Sequence, residues 1–271
     1  MTTIEPLGLV TDVWRFPVKS MQGERLAGAH VTGQGVVGDR AYALVDAETG
    51  EVITARLFPG LLDCQAVFLE PPQVGGEPPP VRITLPGGAT ASSDSSSLTA
   101  LLSAHFQRDL TLVRTVPQSY AKKQSAFFTR VGLDLAAPAE SFVDLSPVSI
   151  ISTATLTELG RLSPQSSFDL RRFRMNIIVD ADGAGFVDNA WVGRQLTIGG
   201  ETQVSIDMPD PRCVMTTLPQ AQLPKDPGIL RTLVQQNSLP VGTGGPLPCA
   251  GVYASVDNPG RIRGGDRVLL A

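Results

Sequence analysis

The run Asp169-Leu170-Arg171-Arg172-Phe173-Arg174-Met175-Asn176-Ile177-Ile178-Val179-Asp180 decides how the chain is read. Side chains of a β-strand alternate between its two faces. Read as a strand, the run points Phe173, Met175, Ile177 and Val179 into a core and sets Arg172, Arg174 and Asn176 on the opposite side. Guanidinium and amide groups in such a row make a wall of hydrogen-bond donors, and the planar fork of arginine matches phosphate and carboxylate geometry. The same pattern also describes a solvated face with surface arginines. The run therefore predicts a strand over 174–180 and leaves its purpose open.

Working outward, apolar and β-branched runs predict strands at 7–16, 25–31, 41–46, 51–55, 64–70 and 81–85, then at 191–198, 202–208, 252–256 and 267–270. Ala47-Glu48-Thr49-Gly50 joins 41–46 to 51–55 as a hairpin connection, with glycine where a positive φ is needed. Helices are expected over 96–107, where Leu98, Leu101, Leu102 and Phe106 share a face, from Ser152 or Thr153 to Gly160, and over 228–237. The proline-rich stretch 71–80 is a loop. Residues 116–141 hold no strong element, and the boundary between two subdomains is placed there, giving 1–118 and 119–271. Many short strands with few helices define an α+β, mainly β chain, its sheet curved or barrel-like with helices packed outside.

Composition removes several classes of function. The 271 residues are 42% hydrophobic and 18% charged, as in an ordinary soluble globular protein. Net charge is -4 with no basic stripe, which excludes a nucleic-acid partner. No apolar run approaches the roughly 20 residues that span a bilayer, and MTTIEPLGLV lacks the basic start of a secretory signal. A cytoplasmic protein with no membrane partner is expected. Cys64, Cys213 and Cys249 are odd in number and widely spaced, which argues against a disulfide framework; the lack of a CxxC pair argues against a structural zinc or iron–sulfur site, and with only His30 and His105 a multi-histidine metal site is excluded.

Two motifs mislead. Gly33-Gln34-Gly35-Val36-Val37-Gly38 fits GxGxxG, but residues 39–46 after it read as a strand, not the helix a dinucleotide site requires, so the glycines serve turns. Ser119-Tyr120-Ala121-Lys122 fits SxxK without the companion motifs of that class.

Other segments carry chemistry. Lys19 and Ser20, in Phe16-Pro17-Val18-Lys19-Ser20, offer an ammonium and a hydroxyl to an anion, or form a surface turn. Gly38-Asp39-Arg40 adds a guanidinium. In Asp210-Pro211-Arg212-Cys213-Val214-Met215-Thr216-Thr217, the thiolate of Cys213 is a soft ligand for a thiophilic metal, and Arg212 beside it favours the thiolate. An inert buried cysteine fits the same residues. Spacing alone does not connect these segments.

In order, the chain carries FPVKS (16–20), VVGDRAYALVD (36–46), TAR (54–56), FVDLSPVSIISTATLTEL (142–159), DLRRFRMNIIVD (169–180), PRCVMTT (211–217) and NPGRIRGGDRVLL (258–270). This succession resembles the MOSC-domain proteins, and within them the amidoxime-reducing component of mitochondria and its bacterial counterparts. The resemblance covers nearly the whole chain. It implies a MOSC-type β-barrel with peripheral helices behind an N-terminal β-rich subdomain, and a molybdenum–molybdopterin cofactor. It implies Cys213 as catalytic metal ligand, and Lys19, Ser20, Arg40, Ser152, Thr153, Arg174, Asn176, Arg212 and Tyr253 as cofactor-binding residues. It further implies reduction of N-hydroxylated small molecules, with electrons from a separate ferredoxin- or cytochrome-type protein, because the chain ends at Ala271 without the iron–sulfur domain of some bacterial relatives. Two other functions fit the resemblance: a sulfur carrier with a persulfide on Cys213, and a cofactor-binding protein without catalysis. Pro211 departs from the family pattern, since it offers no side-chain hydrogen bond toward Cys213. Cys64, in an apolar strand, is expected to be structural, and Cys249 to be structural or to line the pocket.

Overall fold

A computed structural model describes residues 4–130, 132–133 and 141–271. Seven strands close on themselves: β1 (Glu5–Arg15), β2 (Val148–Ser152), β3 (Ile177–Ala181), β4 (Gln195–Ile198), β5 (Thr202–Pro211), β6 (Pro246–Asn258) and β7 (Arg267–Leu270). β1 pairs antiparallel with β3 on one side and β7 on the other. From β7 the sheet runs through β4, β5 and β6, and β6 returns to β2, the parallel neighbour of β3. Closure leaves none of these strands as an open edge. A parallel pair needs a crossover, and helix α3 (Thr153–Leu162) lies on the one joining β2 to β3.

The interior follows the period-2 pattern of the sequence. Val148 and Ile150, Ile177 and Val179, Leu196 and Ile198, and Val204 and Ile206 all turn inward and are buried. On β1 the core residues Val10 and Val13 are three apart because the strand bulges between Val10 and Asp12.

A second core belongs to the N-terminal half. Helix α1 (Ser97–Phe106), the pair 43–46 with 110–113, and the sheet of 65–68, 81–84 and 90–92 enclose Leu44, Leu61, Leu62, Ile83 and Leu102. The expected hairpin differs here. Residues 43–46 take 110–113 as their main partner, while 51–55 contributes a single bridge between Val45 and Val52.

The stretch 116–141 is not free of structure, since 118–130 forms helix α2 (Gln118–Arg130). Its inner face carries Tyr120, Gln124 and Phe128, four apart, and the polar Gln124 breaks the apolar stripe that periodicity looks for. Residues 134–140 lie outside the described ones. No helix follows Gly38 in the GxGxxG run, which lies in a short strand and turns. Helix α4 (Gly228–Gln236) packs on β6 and on the turn after Cys213.

One glycine fixes how closely the barrel approaches the 170s segment. Gly251 on β6 has φ +76, and a Cβ there would sit 2.4 Å from Met175 Cε and 2.5 Å from Ile150 O. Gly251→Ala is expected to lose about 2–4 kcal/mol of stability through strain and overpacking. A urea midpoint equal to that of the wild type would show that the backbone there adapts freely.

Candidate functional site

The 170s segment does not form the strand read from its alternation. Residues 170–172 make a 3-10 turn capped by Asp169, whose side chain accepts from Arg171 N, and β3 begins only at Ile177. The three donors expected in one row therefore act separately. Arg172 is 1% exposed and donates to the carbonyls of Thr216 (3.3 Å), Leu218 (3.0 Å) and Pro224 (2.7 Å). Arg174 stands in the left-handed region at φ 54 and donates to Met21 O at 2.6 Å. Asn176 ties two strands together: its Oδ1 accepts from Ser149 N and Oγ, and its Nδ2 donates to Trp14 O.

The Cys213 segment answers this clamp. Arg212 pairs with Asp210 and donates to Phe173 O, so each segment grips the other. Cys213 follows the end of β5 and caps a 3-10 turn, Val214–Thr217, where Thr216 Oγ1 donates to Cys213 O at 3.0 Å. Met215 and Leu218 from this turn pack against the N-terminal core. The sulfur itself remains exposed, whereas Cys64 and Cys249 are buried.

Residues 16–20 and 38–40 build the opposite wall. Asp39 accepts from Phe16 N at 2.7 Å and pairs with Arg40, whose Nη2 donates to Arg174 O at 3.0 Å. The guanidinium groups of Arg40 and Arg174 lie 4.6 and 4.3 Å from the ring centroid of Phe16, within cation–π range. Buried Lys19 donates to Phe142 O and Asp144 Oδ1, both at 2.8 Å. Ser20 Oγ accepts from Ala55 N. Among the described residues five non-glycines have a left-handed φ, and three of them, Ser20, Arg40 and Arg174, sit here. Each costs about 1–3 kcal/mol, a strain that clusters where geometry matters more than stability.

These segments enclose a cavity of about 360 Å³, within the size range of small-molecule sites. Five arginines line it (Arg40, Arg56, Arg172, Arg174 and Arg212), with Asp144, Asp210, Asn176, Ser149, Tyr253 and Cys213. Phe128, Val143, Leu145 and Leu247 supply apolar wall. A smaller recess shares Arg40, Arg56, Asp144 and Arg174 and adds Lys19 and Ser20.

Electrostatics follow from the pairing. Burial works against the charge on Lys19, but Asp144 and Tyr120 outweigh it and raise its pKa. Burial likewise opposes the charge on Asp144, yet Lys19, Arg40 and Arg56 hold that carboxyl well below the ordinary range. Arg174 has no such carboxylate: burial, then the charge of Arg40, brings it down to about 9, still protonated at neutral pH. Buried Nη2 of Arg174 and Nε of Arg172 and Arg212 have no hydrogen-bond partner among the described residues. Charged donors left in this way suit an anion.

Of the residues expected at a site, the structure brings Lys19, Ser20, Arg40, Arg174, Asn176, Arg212, Cys213 and Tyr253 to the cavity and its recess. It does not bring Ser152 and Thr153. Ser152 is fully buried and caps α3, accepting from Thr155 N, and Thr153 donates outward to Asp180. Ser146 and Ser149, earlier in the same segment, are the serines that line the wall. Cys249 packs with Phe128 and Val241, away from the lining. Sequence reasoning missed Arg56, Asp144, Ser146, Ser149 and Asp210 as lining groups. The first four lie inside the quoted TAR and DLSPVS motifs, where a charged or hydroxyl residue beside apolar neighbours was the available signal.

Barrel, clamp and cavity together define a β-barrel protein with a thiol on the wall of a cationic, anion-seeking pocket. Two family models match it, the MOSC N-terminal beta barrel domain over residues 7–131 and the MOSC domain over residues 138–269, and the chain belongs to the MOSC-domain proteins. It is 29% identical to mitochondrial amidoxime reducing component 2 of Rattus norvegicus, over 98% of this chain and 84% of that protein. Identity to mitochondrial amidoxime-reducing component 1 is 26% for Mus musculus, over 98% and 83%, and 24% for Homo sapiens, over 98% and 84%. The crystal structure of the YUAD protein from Bacillus subtilis shares the fold with a TM-score of 0.51 at 11% identity, covering 100% of this chain and 98% of that one.

If the clamp holds the Cys213 segment, Arg172→Leu removes the donor to the carbonyls of buried Thr216, half-buried Leu218 and exposed Pro224. A loss of about 3 kcal/mol is expected. Amide exchange should speed up within residues 214–224, and unchanged protection there would show that the segment is held by other contacts.

Proposed function

We propose that the chain binds a molybdenum–molybdopterin cofactor in this cavity and uses it to reduce N-hydroxylated small molecules. The observation that carries the reading is the exposed Cys213 thiol on the wall of a pocket where buried guanidinium nitrogens lack partners. The donor set fits such a group on two counts. A soft sulfur is present for a thiophilic metal, and fixed cations stand ready for a phosphate. Amidoxime reduction, named in the relatives with which the chain aligns over 98% of its length, supports the same reading.

In this account Cys213 is the protein ligand to the metal, on a turn whose carbonyls Arg172 holds in place. Lys19, Ser20, Arg40 and Arg174 would hold the phosphate end, the last three from left-handed backbone positions. Arg212, Asn176 and Tyr253 border the metal end. Ser152 and Thr153 have no part in it. The cofactor, when bound, supplies two-electron oxygen-transfer chemistry at its metal, and the protein supplies orientation and a shielded, charged setting. Electrons come from a separate redox protein of ferredoxin or cytochrome type. Among the described residues no helix is long and apolar enough to cross a membrane.

Protein made in a host that synthesises the cofactor should carry molybdenum and pterin in equal amounts. It should reduce an aryl amidoxime with a reduced viologen dye. Cys213→Ser should keep the fold, since the side chain is exposed, with a stability change within about 0.5 kcal/mol. Turnover should fall more than about 100-fold. A labile extra sulfur on Cys213 in metal-free protein would point to sulfur transfer instead, and bound cofactor without turnover to a binding role.

A further inference from the structure

One carboxylate of the cavity is not explained by anion binding. Asp210 lies on β5 three residues before Cys213, is 1% exposed, and lines the same cavity. One carboxylate oxygen, Oδ2, pairs with Arg212. The other, Oδ1, is buried and makes no hydrogen bond of ordinary geometry among the described residues, although the Tyr253 side chain stands close enough to act on the carboxyl as a weak donor. A carboxylate placed only to hold an arginine has no need to stand in a substrate-sized cavity with an oxygen left over. A carboxylic acid with a proton to give does.

We propose that Asp210 is the proton donor of the reduction, giving its proton to the oxygen that leaves as the substrate N–O bond breaks. The proposal rests on the reductase reading above. For an amidoxime, R–C(NH2)=N–OH takes up two electrons and two protons and yields the amidine R–C(NH2)=NH and water. The electrons arrive from the one-electron redox protein in two deliveries. One proton comes from Asp210 and the other from solvent, and solvent then reprotonates Asp210.

The surroundings suit that task. Burial is the main influence on Asp210 and raises it to about 7, against the pull of Arg212. Asp144, from the segment before β2, also raises it, while Tyr253 on β6 and Arg40 from the opposite wall lower it. Cys249 on β6 feels its charge. A group poised near neutral pH serves proton transfer best.

Two measurements on the wild type and Asp210→Asn test the idea. With cofactor loaded and viologen as donor, wild-type kcat should fall about tenfold per pH unit above about pH 7, where Asp210 loses its proton. Asp210→Asn, which keeps a hydrogen-bonding group beside Arg212, should lose at least tenfold in kcat at pH 6 with KM little changed, and should lose that limb. In the metal-free chain, a carboxyl raised in the fold stabilises it at acid pH, and that stability is lost as pH climbs from about 4 to about 7. Asp210→Asn should lack this loss, so its melting temperature should gain on the wild type across the interval. A wild-type profile flat to pH 9, or an Asp210→Asn enzyme with unaltered turnover, overturns the proposal, and so does a constant melting difference. Wild-type protein that carries cofactor yet reduces no amidoxime overturns the reductase reading instead, and the melting comparison still reports whether Asp210 holds a proton.

Discussion

The site depends on two arginines that point away from solvent. Arg172 donates to three main-chain carbonyls of the segment after Cys213, and Arg212, next to Cys213, reaches back to Phe173 O. Neither segment is a regular helix or strand here, so neither has a ladder to hold it. Buried guanidinium groups supply that hold, since arginine carries five donors in a rigid plane and cannot shed its proton. The result is an exposed sulfur on a rigid turn at the junction of the barrel and the N-terminal core.

The charge pattern explains how an acidic chain presents a cationic pocket. Lys19 and Arg40 each have an aspartate of their own, Asp144 and Asp39, so those pairs are locally neutral. Arg174 has no salt-bridge partner among the described residues: it shares the Phe16 ring with Arg40 and has an unpartnered buried nitrogen. Repulsion between Arg40 and Arg174 and the left-handed backbone of both are unfavourable. An anion held between them, as proposed, would relieve the first and account for the second, as in a binding site preorganised at some expense of stability.

Much of the architecture was legible because barrel strands announce themselves by alternation, as at 202–208 and 267–270. Where the reading failed, local pattern was overridden by tertiary contact. Arg172, Arg174 and Asn176 alternate like strand residues, yet carbonyls 44 to 52 residues downstream draw Arg172 into a turn. Ser152 carried the helix-start signal correctly, and that same capping role takes it out of the cavity, leaving the wall to Ser146 and Ser149. Helix α2 escaped notice because Gln124 interrupts its buried face. Asp210 gave no sign at all: a carboxylate beside prolines reads as a turn, and only the closed barrel shows it to be buried.

The central claim is that Cys213 donates sulfur to the metal, and molybdenum X-ray absorption of the loaded protein addresses it directly. The account predicts one sulfur neighbour fewer around molybdenum in Cys213→Ser than in the wild type, at matched metal content. Identical sulfur shells in the two proteins would contradict it.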